Sequence, residues 1–294
     1  MSAESGKLIK SAQGGDRQAL AKLLSWLEQQ GPRRAFKVPE ILNPPQFSFR
    51  FGITGPPGAG KSTLVSQLLT QLRAQNFTVA VLAVDPSSPF SKGAVLGDRI
   101  RYSQHFLDPG IFIRSLGTRG SLGGLSGSAY LMLRAFDLCH FDFVLVETVG
   151  VGQTELDILH VADKVGVVLV PESGDSIQAM KAGLMEIADI FIVNKADRPG
   201  ADSLAREIEA SVHDGESAKR PEVIKAIATQ GVGLLELTDW LVEQKNAFSK
   251  LKSRQDPIRL QEEAKSLLRA EWENSVQDKL RVIQSPIDLG EIFK

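Results

Sequence analysis

The sequence predicts an α/β fold with a mainly parallel sheet flanked by helices, and two observations carry this prediction. Over the middle of the chain, short apolar runs alternate with longer amphipathic stretches, as in strands that are buried on both faces and separated by helices. A G-x-x-x-x-G-K-S motif lies between the first of these runs and the amphipathic stretch that follows it. The predicted strands are residues 47–53, 78–84, 143–146, 165–170, 190–193 and 223–228.

Helical patterns occupy both ends of the chain. Asp16 is the predicted N-cap of a helix whose leucines recur at helical spacing, and Gly31 and Pro32 end that helix. Near the C-terminus, Asp256 and Pro257 predict the start of a helix with one apolar stripe, which we interpret as a packing or dimer surface. The stripe consists of Leu260, Ala264, Leu267, Leu268, Trp272, Val276 and Leu280.

The predicted segments are an N-terminal helical extension with linker (1–45), a central domain (46–248) and a C-terminal helical dimerisation arm (249–294).

Composition and charge argue against several classes of protein. The 294 residues include 34 Lys and Arg against 35 Asp and Glu, so there is no overall basic field for binding nucleic acid. The single cysteine, Cys139, cannot form an intrachain disulfide, and the four histidines lack metal-ligand spacing, so we take them as structural. The apolar runs are too short to cross a bilayer, and we expect neither a secretory signal nor a transit peptide. We therefore expect a cytoplasmic protein without membrane or nucleic-acid partners.

The sharpest signal is residues 55–62, which read G-P-P-G-A-G-K-S between a predicted strand and a predicted helix. Glycines let consecutive backbone N–H groups turn toward phosphates, and the helix N-terminus adds a positive partial charge. In such loops the lysine, here Lys61, reaches the β- and γ-phosphates, and the hydroxyl of Ser62 can bind Mg²⁺. Together with the parallel sheet, this motif predicts the fold of a phosphate-loop NTPase. The candidate phosphate-binding residues are Gly55, Gly58, Ala59, Gly60, Lys61, Ser62 and Thr63.

Glu147 is a second candidate, because it ends the predicted strand 143–146. Ligands of open α/β sheets bind at the carboxyl ends of the strands. An acid at that edge can hold Mg²⁺ directly or through a water molecule, and the backbone N–H of Gly150 can contact a γ-phosphate.

The tetrapeptide N-K-A-D directly follows another predicted strand and indicates that the base is guanine. The carboxylate of Asp197 can accept hydrogen bonds from N1–H and the 2-amino group of guanine, whereas adenine would leave it as an unpaired buried carboxylate. Asn194, Lys195 and Asp197 are therefore predicted to bind the base, with Ala228 and Thr229 as a backbone cap on it. The bound nucleotide is predicted to be GTP or GDP.

Further candidates lie in three loops. Asp85 ends a strand beside the phosphate loop, and Asp98 lies in the loop that follows, where both could approach Mg²⁺. A glycine-rich loop at 117–128 suggests close backbone approach, but no chemistry is assigned to it. The loop after the fourth predicted strand contains Gln178 and Lys181, for which a capped helix start and a functional loop are equal alternatives.

With these motifs in this order, the chain resembles the MeaB-type GTPases, also labelled ArgK, which are associated with methylmalonyl-CoA mutase. The resemblance runs from about residue 49 to residue 229 and is carried by V-D-P-S-S-P-F, L-G-D-R-I-R, R-G-S-L-G-G-L, E-T-V-G-V-G-Q and N-K-A-D. It implies a dimeric G protein that uses GTP to gate adenosylcobalamin loading, and removal of inactivated cofactor, in a cobalamin-dependent acyl-CoA mutase. The implied partners are that mutase, a cobalamin adenosyltransferase and a second copy of the chain.

The resemblance also implies residue roles. Lys61 and Ser62 would bind phosphate and Mg²⁺, and Asp85, Asp98 and Glu147 would be the acids around the metal. Asn194 and Asp197 would recognise the base. Gln178 and Lys181 would belong to a switch loop that contacts the mutase.

One position departs from the wider GTPase pattern. Many GTPases place a water-orienting glutamine directly after the switch glycine, whereas this chain has Val151 there and Gln153 two residues later. We therefore expect slow basal hydrolysis that a partner accelerates, with Gln153, Arg101 and Lys181 as candidate partner-ordered groups. The candidate catalytic set is Lys61, Glu147, Gln153 and Lys181.

The same motifs bear on three other functions. A small-molecule kinase of the same fold is disfavoured by N-K-A-D, because kinases of this fold seldom need guanine. A GTPase that inserts nickel into a metalloenzyme would need a cluster of cysteines or histidines, which a single cysteine argues against. A non-hydrolysing, nucleotide-dependent scaffold stays open as an alternative.

Overall fold

The structure, a computed structural model, describes residues 3–44, 46–85, 102–117, 127–148, 154–171, 183–213, 221–248 and 256–280. The chain divides into two compact units. We call them the sheet unit (Gln46–Leu125 and His140–Asp256) and the helical unit (Met1–Pro45, Ser126–Cys139 and Pro257–Lys294). The boundary at residue 46 coincides with the start of the predicted central domain, but residues 126–139, which that prediction placed in the central domain, group with the chain ends.

A seven-stranded parallel sheet forms the sheet unit's core within the described ranges. The strands are β1 (Phe49–Thr54), β2 (Val79–Asp85), β3 (Ile111–Gly117), β4 (Phe143–Glu147), β5 (Lys164–Leu169), β6 (Ile190–Asn194) and β7 (Glu222–Ala226). Their order is β3-β2-β4-β1-β5-β6-β7, and each adjacent pair is parallel. The predicted α/β class with a parallel sheet is therefore confirmed.

The apolar runs form the central strands because both of their faces are covered. All six residues of β1 and all five residues of β4 and β6 are buried. The edge strand β3 was not predicted, since its apolar start gives way to the half-buried Arg114 and Ser115. Within the described residues β3 is an edge strand that pairs with β2, and such a strand does not need the continuous apolar pattern of a central strand.

The helices among the described residues are α1 (Ala3–Gln13), α2 (Arg17–Gln30), α3 (Pro32–Ala35), α4 (Pro39–Leu42), α5 (Lys61–Ala74), α6 (Gly127–Leu138), α7 (Thr154–Val161), α8 (Met185–Ile187), α9 (Ala201–His213), α10 (Leu234–Ala247) and α11 (Pro257–Leu280). In the part of the chain that the structure describes, 3-10 turns span Ser103–His105 and Ala228–Gln230. In the sheet unit, leucines of α5 and α10 pack against the sheet, and the rings of Phe51 and Trp240 meet edge to face with centroids 6.1 Å apart. Among the described helices, none combines the length and the apolarity that a bilayer crossing requires.

The helical unit contains α6 because α6 packs on the terminal helices. The backbone of Gly127 lies so close to Ala270 and Ser266 of α11 that a Cβ at this position would not fit. Arg134 of α6 forms an ion pair with Glu263 of α11, with Nε and Oε1 2.5 Å apart. At the other end of the unit, the predicted N-cap Asp16 is confirmed, since its carboxylate accepts the backbone N–H groups of residues 18 and 19.

Candidate nucleotide-binding site

The phosphate loop connects β1 to α5 and depends on its glycines. Gly55, Gly58 and Gly60 have φ values of 135°, 76° and 87°, which side chains rarely allow. A Cβ at Gly55 would collide with the carbonyl of Val168, and a Cβ at Gly60 would collide with the side-chain amide of Asn194. The loop can therefore lie against two neighbouring strands, with the start of α5 directly behind it.

Lys61 is held inside this loop. Its side chain is buried, and Nζ donates to the carbonyl oxygens of Gly55 at 2.6 Å and Pro56 at 3.0 Å. An ammonium at the N-terminus of α5 adds full charge to the positive end of the helix dipole. Phosphate oxygens of a nucleotide would compete with the two carbonyls for this ammonium.

Ser62 and Glu147, both candidates for binding Mg²⁺, meet at the carboxyl edge of the sheet. Glu147 ends β4 and is 5% exposed, and the Ser62 hydroxyl donates to its Oε1 atom at 2.6 Å. The hydroxyl of Tyr102 donates to the other carboxylate oxygen, Oε2. A hydroxyl and a carboxylate in contact are oxygen donors of the kind that Mg²⁺ prefers, so these residues fit a magnesium site that a nucleotide would complete.

Hydrogen bonds join the end of β4 to the end of β1. The backbone N–H of Thr148 donates to the carbonyl of Ile53 at 3.1 Å, and the Thr148 hydroxyl donates to that of Thr54 at 3.0 Å. These bonds fix the position of Glu147 relative to the strand that leads into the phosphate loop.

Side-chain hydrogen bonds hold residues 102–110 against α5. The His105 Nε2 atom lies 2.9 Å from the Ser66 carbonyl oxygen and 3.0 Å from the Ser66 hydroxyl, and Arg73 Nε donates to Asp108 at 2.9 Å. Burial lowers the pKa of His105. Burial alone would raise the pKa of Asp108, but hydrogen bonds from Arg73 and the Gly110 N–H outweigh it and hold that pKa below its usual range.

Asn194 bridges the phosphate loop and the predicted base cap. Its side chain is 3% exposed, its Nδ2 donates to the Ala59 carbonyl at 2.8 Å, and its Oδ1 accepts the Ala228 N–H at 3.1 Å. The three segments predicted separately from the sequence therefore meet at one buried amide.

The remaining base-reading candidates lie beside this bridge. Lys195 adopts a left-handed backbone conformation with φ of 57°, and Asp197 and Thr229 are exposed. Asp197 follows the end of β6 in an exposed turn. Burial of its carboxylate against a bound guanine stays a prediction.

Several predicted residues cannot be placed in this geometry. Asp85 ends β2, but nothing is described for its side chain. The others lie outside the described residues: Asp98, Arg101, Gly150, Gln153, Gln178 and Lys181. Their predicted roles stay predictions.

The sequence did not single out Tyr102, Ser66 or His105. A tyrosine after L-G-D-R-I-R carries no recognisable motif, and only the fold brings it to Glu147. Within the described ranges, no group of three or more His, Cys, Asp or Glu side chains could hold a metal ion by itself. Any Mg²⁺ at Ser62 and Glu147 would thus need ligands from elsewhere, and phosphates are the usual source.

A family model and several relatives match most of the chain. The family model described as methylmalonyl Co-A mutase-associated GTPase MeaB matches residues 20–284. A candidate GTPase of Pyrococcus abyssi is 44% identical over 271 residues, covering 89% of this chain and 83% of the relative. The GTPase ArgK of Escherichia coli is 31% identical over 282 residues, covering 92% of this chain and 85% of its own. The mouse methylmalonic aciduria type A homolog is 37% identical over 208 residues, covering 67% of this chain and 49% of that relative.

Solved structures share the fold. A structure described as LAO/AO transport system kinase superposes with a TM-score of 0.68 and 26% identity, covering 97% of this chain and 88% of its own. HypB from Helicobacter pylori in complex with nickel superposes with a TM-score of 0.51 and 17% identity, covering 79% of this chain and 96% of its own, a likeness in fold alone. The predicted phosphate-loop NTPase fold is thereby confirmed.

Proposed function

Because the chain belongs to the MeaB family of methylmalonyl-CoA mutase-associated GTPases, we propose that it is a GTP-dependent chaperone of an adenosylcobalamin-dependent acyl-CoA mutase. GTP hydrolysis is the activity of this family. In the proposal, it gates the loading of adenosylcobalamin and the protection or reactivation of the mutase, with methylmalonyl-CoA mutase as the partner to test first. The family match over residues 20–284 carries the choice of partner, and the N-K-A-D motif with Asp197 supports the choice of guanine nucleotides.

Magnesium belongs to this proposal as the metal of the GTP complex. Ser62 and Glu147 would hold it, and Asp85 and Asp98 are the further acids proposed around it. When bound, the ion would neutralise negative charge that develops on the phosphates. Lys61, at the start of the same helix, would hold the β- and γ-phosphates.

Slow basal turnover follows from the residues around the switch glycine. Val151 replaces the glutamine that commonly orients water, so we propose that Gln153, Arg101 or Lys181 is ordered by the partner. GTPases without an optimally placed group turn over at about 10⁻⁴ to 10⁻² s⁻¹, and a partner-supplied group adds about 10³ to 10⁵.

We also propose that the protein acts as a homodimer and that α11 contributes the interface. Leu268 and Trp272 of α11 are 71% and 68% exposed, and Leu260 is 42% exposed. These three residues are spaced by four or eight positions and therefore share one side of the helix. A cobalamin adenosyltransferase is a second proposed partner.

The deciding experiment measures GTP turnover with and without a cobalamin-dependent mutase. We expect methylmalonyl-CoA mutase to raise the rate of the parent protein by at least about 100-fold, toward the lower part of the range for partner-supplied groups. Gln178→Ala should bind GDP like the parent but lose much of that stimulation, because the resemblance places Gln178 in a mutase-contacting loop. Gln29→Ala, at an exposed glutamine of α2, is the control. If no cobalamin-dependent mutase stimulated the parent, the chaperone proposal would fail and the scaffold alternative would gain.

A further inference from the structure

The carboxylate of Glu147 is held from two directions by residues on different segments. Ser62, at the start of α5, donates to Oε1, and Tyr102, which precedes the Ser103–His105 turn, donates to Oε2. Tyr102 is fully buried, and Glu147 is 5% exposed. A carboxylate bound at both oxygens is fixed in rotation, so its orientation depends on both donors.

The position of Tyr102 is itself set by α5. His105 lies three residues later and binds Ser66, which is one helical turn beyond Ser62. Because the Ser66 carbonyl can only accept, the His105 Nε2 atom must donate to it. Gln104 adds a hydrogen bond to the Ser66 hydroxyl at 2.8 Å.

A second attachment holds the far end of the same segment. Arg73, in the last turn of α5, binds Asp108 through Nε at 2.9 and 3.0 Å. Hydrogen bonds at Ser66 and at Arg73 thus hold residues 102–108 against α5. The Tyr102 hydroxyl therefore keeps a fixed position relative to Ser62, which begins the same helix.

We propose that Tyr102 is a positioning residue for the magnesium site: its hydroxyl holds Oε2 of Glu147 so that Oε1 stays turned toward the Ser62 hydroxyl and the metal. This inference rests on the proposed Mg²⁺ site at Ser62 and Glu147. A glutamate has several rotatable side-chain bonds, and one oxygen held by a buried donor leaves the other aimed in one direction. Groups that hold metal ligands in this way commonly change metal affinity by about 10- to 100-fold when they are removed.

The test is the Mg²⁺ dependence of GDP binding in Tyr102→Phe. This change keeps the buried ring and removes only the hydroxyl. We expect the Mg²⁺ concentration that gives half of the Mg²⁺-dependent gain in GDP affinity to rise by about tenfold or more. GDP affinity in excess EDTA should match that of the parent, because Tyr102 has no part in the phosphate loop or the base site. Titration calorimetry at stepped Mg²⁺ concentrations measures both quantities.

Tyr130→Phe is the matched control. The chain has two tyrosines, and Tyr130 of α6 is also buried, at 5% exposed, but belongs to the helical unit. It should leave the Mg²⁺ requirement unchanged. A double variant adds a test of mechanism: if Tyr102 acts through the carboxylate, then adding Tyr102→Phe to Glu147→Gln should not raise the Mg²⁺ requirement beyond that of Glu147→Gln alone.

The outcomes separate this inference from the proposed metal site. If GDP binding by the parent did not respond to Mg²⁺, the metal site and the inference would both be wrong. A normal response of the parent with the same Mg²⁺ requirement in Tyr102→Phe would overturn only the inference. Equal losses of GDP affinity with and without Mg²⁺, or a Tyr102→Phe protein that does not fold, would mark the hydroxyl as structural and would also overturn it.

Discussion

The side-chain amide of Asn194 connects the phosphate loop to the predicted base cap. Its amide donates to the phosphate loop at Ala59 and accepts from Ala228, so both backbone groups are satisfied away from water. Removal of such an amide would leave a buried donor and a buried acceptor unpaired, which typically costs about 1 to 3 kcal/mol for each group. The residue is therefore a support of the fold as well as a neighbour of the base.

Base selectivity is expected to depend on Asp197. Asp197→Asn replaces one carboxylate acceptor by a donor, so we expect GDP affinity to fall about 10- to 100-fold and xanthosine diphosphate affinity to rise, because xanthine carries an oxygen where guanine carries its amino group. Competition titrations with the two nucleotides measure the change. Asp202→Asn, at an exposed acid that pairs with Lys225, is the control. Unchanged GDP affinity in Asp197→Asn would contradict the assignment.

His105 is expected to make stability depend on pH. Burial lowers its pKa from the model-peptide value of 6.5, so on acidification the unfolded chain takes up this proton before the folded chain does. The free energy of unfolding should therefore fall as the pH drops below about 6.5. In His105→Gln this contribution is absent, so the stability difference between parent and variant should shrink from pH 7.5 to pH 5. Urea unfolding at both pH values measures it, and two parallel pH profiles would refute the prediction.

Among the elements, the phosphate loop offers two glycines that separate backbone strain from steric contact. Gly58 and Gly60 have similar φ values of 76° and 87°, but a Cβ at Gly58 meets nothing within 4 Å, whereas one at Gly60 meets the Asn194 amide. Gly58→Ala should lower the free energy of unfolding by about 1 to 2 kcal/mol from the left-handed backbone alone. Gly60→Ala should lower it by at least about 1 kcal/mol more, because the Asn194 bridge must also shift. Denaturant unfolding without nucleotide compares the two, and equal losses would show that the contact with Asn194 does not matter.

The sequence predicted elements well where one local pattern decides the structure. Strands buried on both faces, the Asp16 cap and the place of residues 55–62 between a strand and a helix each follow from local residues, and each was confirmed. Phosphate binding by residues 55–62 stays a prediction. The edge strand β3 was not predicted from the sequence. A strand with one neighbour does not need a continuous apolar run, so its sequence gives a weaker signal. The contact of Tyr102 with Glu147 could not be predicted, since it joins residues 45 positions apart through the attachment of a loop to α5. The predicted burial of the Asp197 carboxylate needs a bound base, so it stays a prediction.

The apolar stripe that the sequence shows on α11 contains both buried and exposed residues, so the pattern alone does not tell which of them stabilise the fold and which could form an interface. Leu267 is 7% exposed and Leu268 is 71% exposed, although both belong to the same predicted stripe. The contact of Gly127 with α11 and the Arg134–Glu263 ion pair account for the side that is buried within the helical unit. Truncation of the arm would therefore disturb that unit, and only substitutions on the exposed side can test assembly cleanly.

The assembly prediction concerns a double variant, Leu268→Ser with Trp272→Ser, in the full chain. If the exposed side of α11 forms a dimer interface, each copy loses two apolar side chains, and burial of each such side chain is worth about 1.5 to 3 kcal/mol. We therefore expect the dimer Kd to rise at least about 100-fold, so that light scattering reports a monomer at concentrations where the parent is a dimer. GDP affinity should not change, because the described nucleotide-site residues belong to the sheet unit. Leu42→Ser removes another exposed leucine of the helical unit, outside α11, and should leave the dimer intact. A parent protein that is monomeric, or a double variant that stays dimeric, would exclude this surface as the interface.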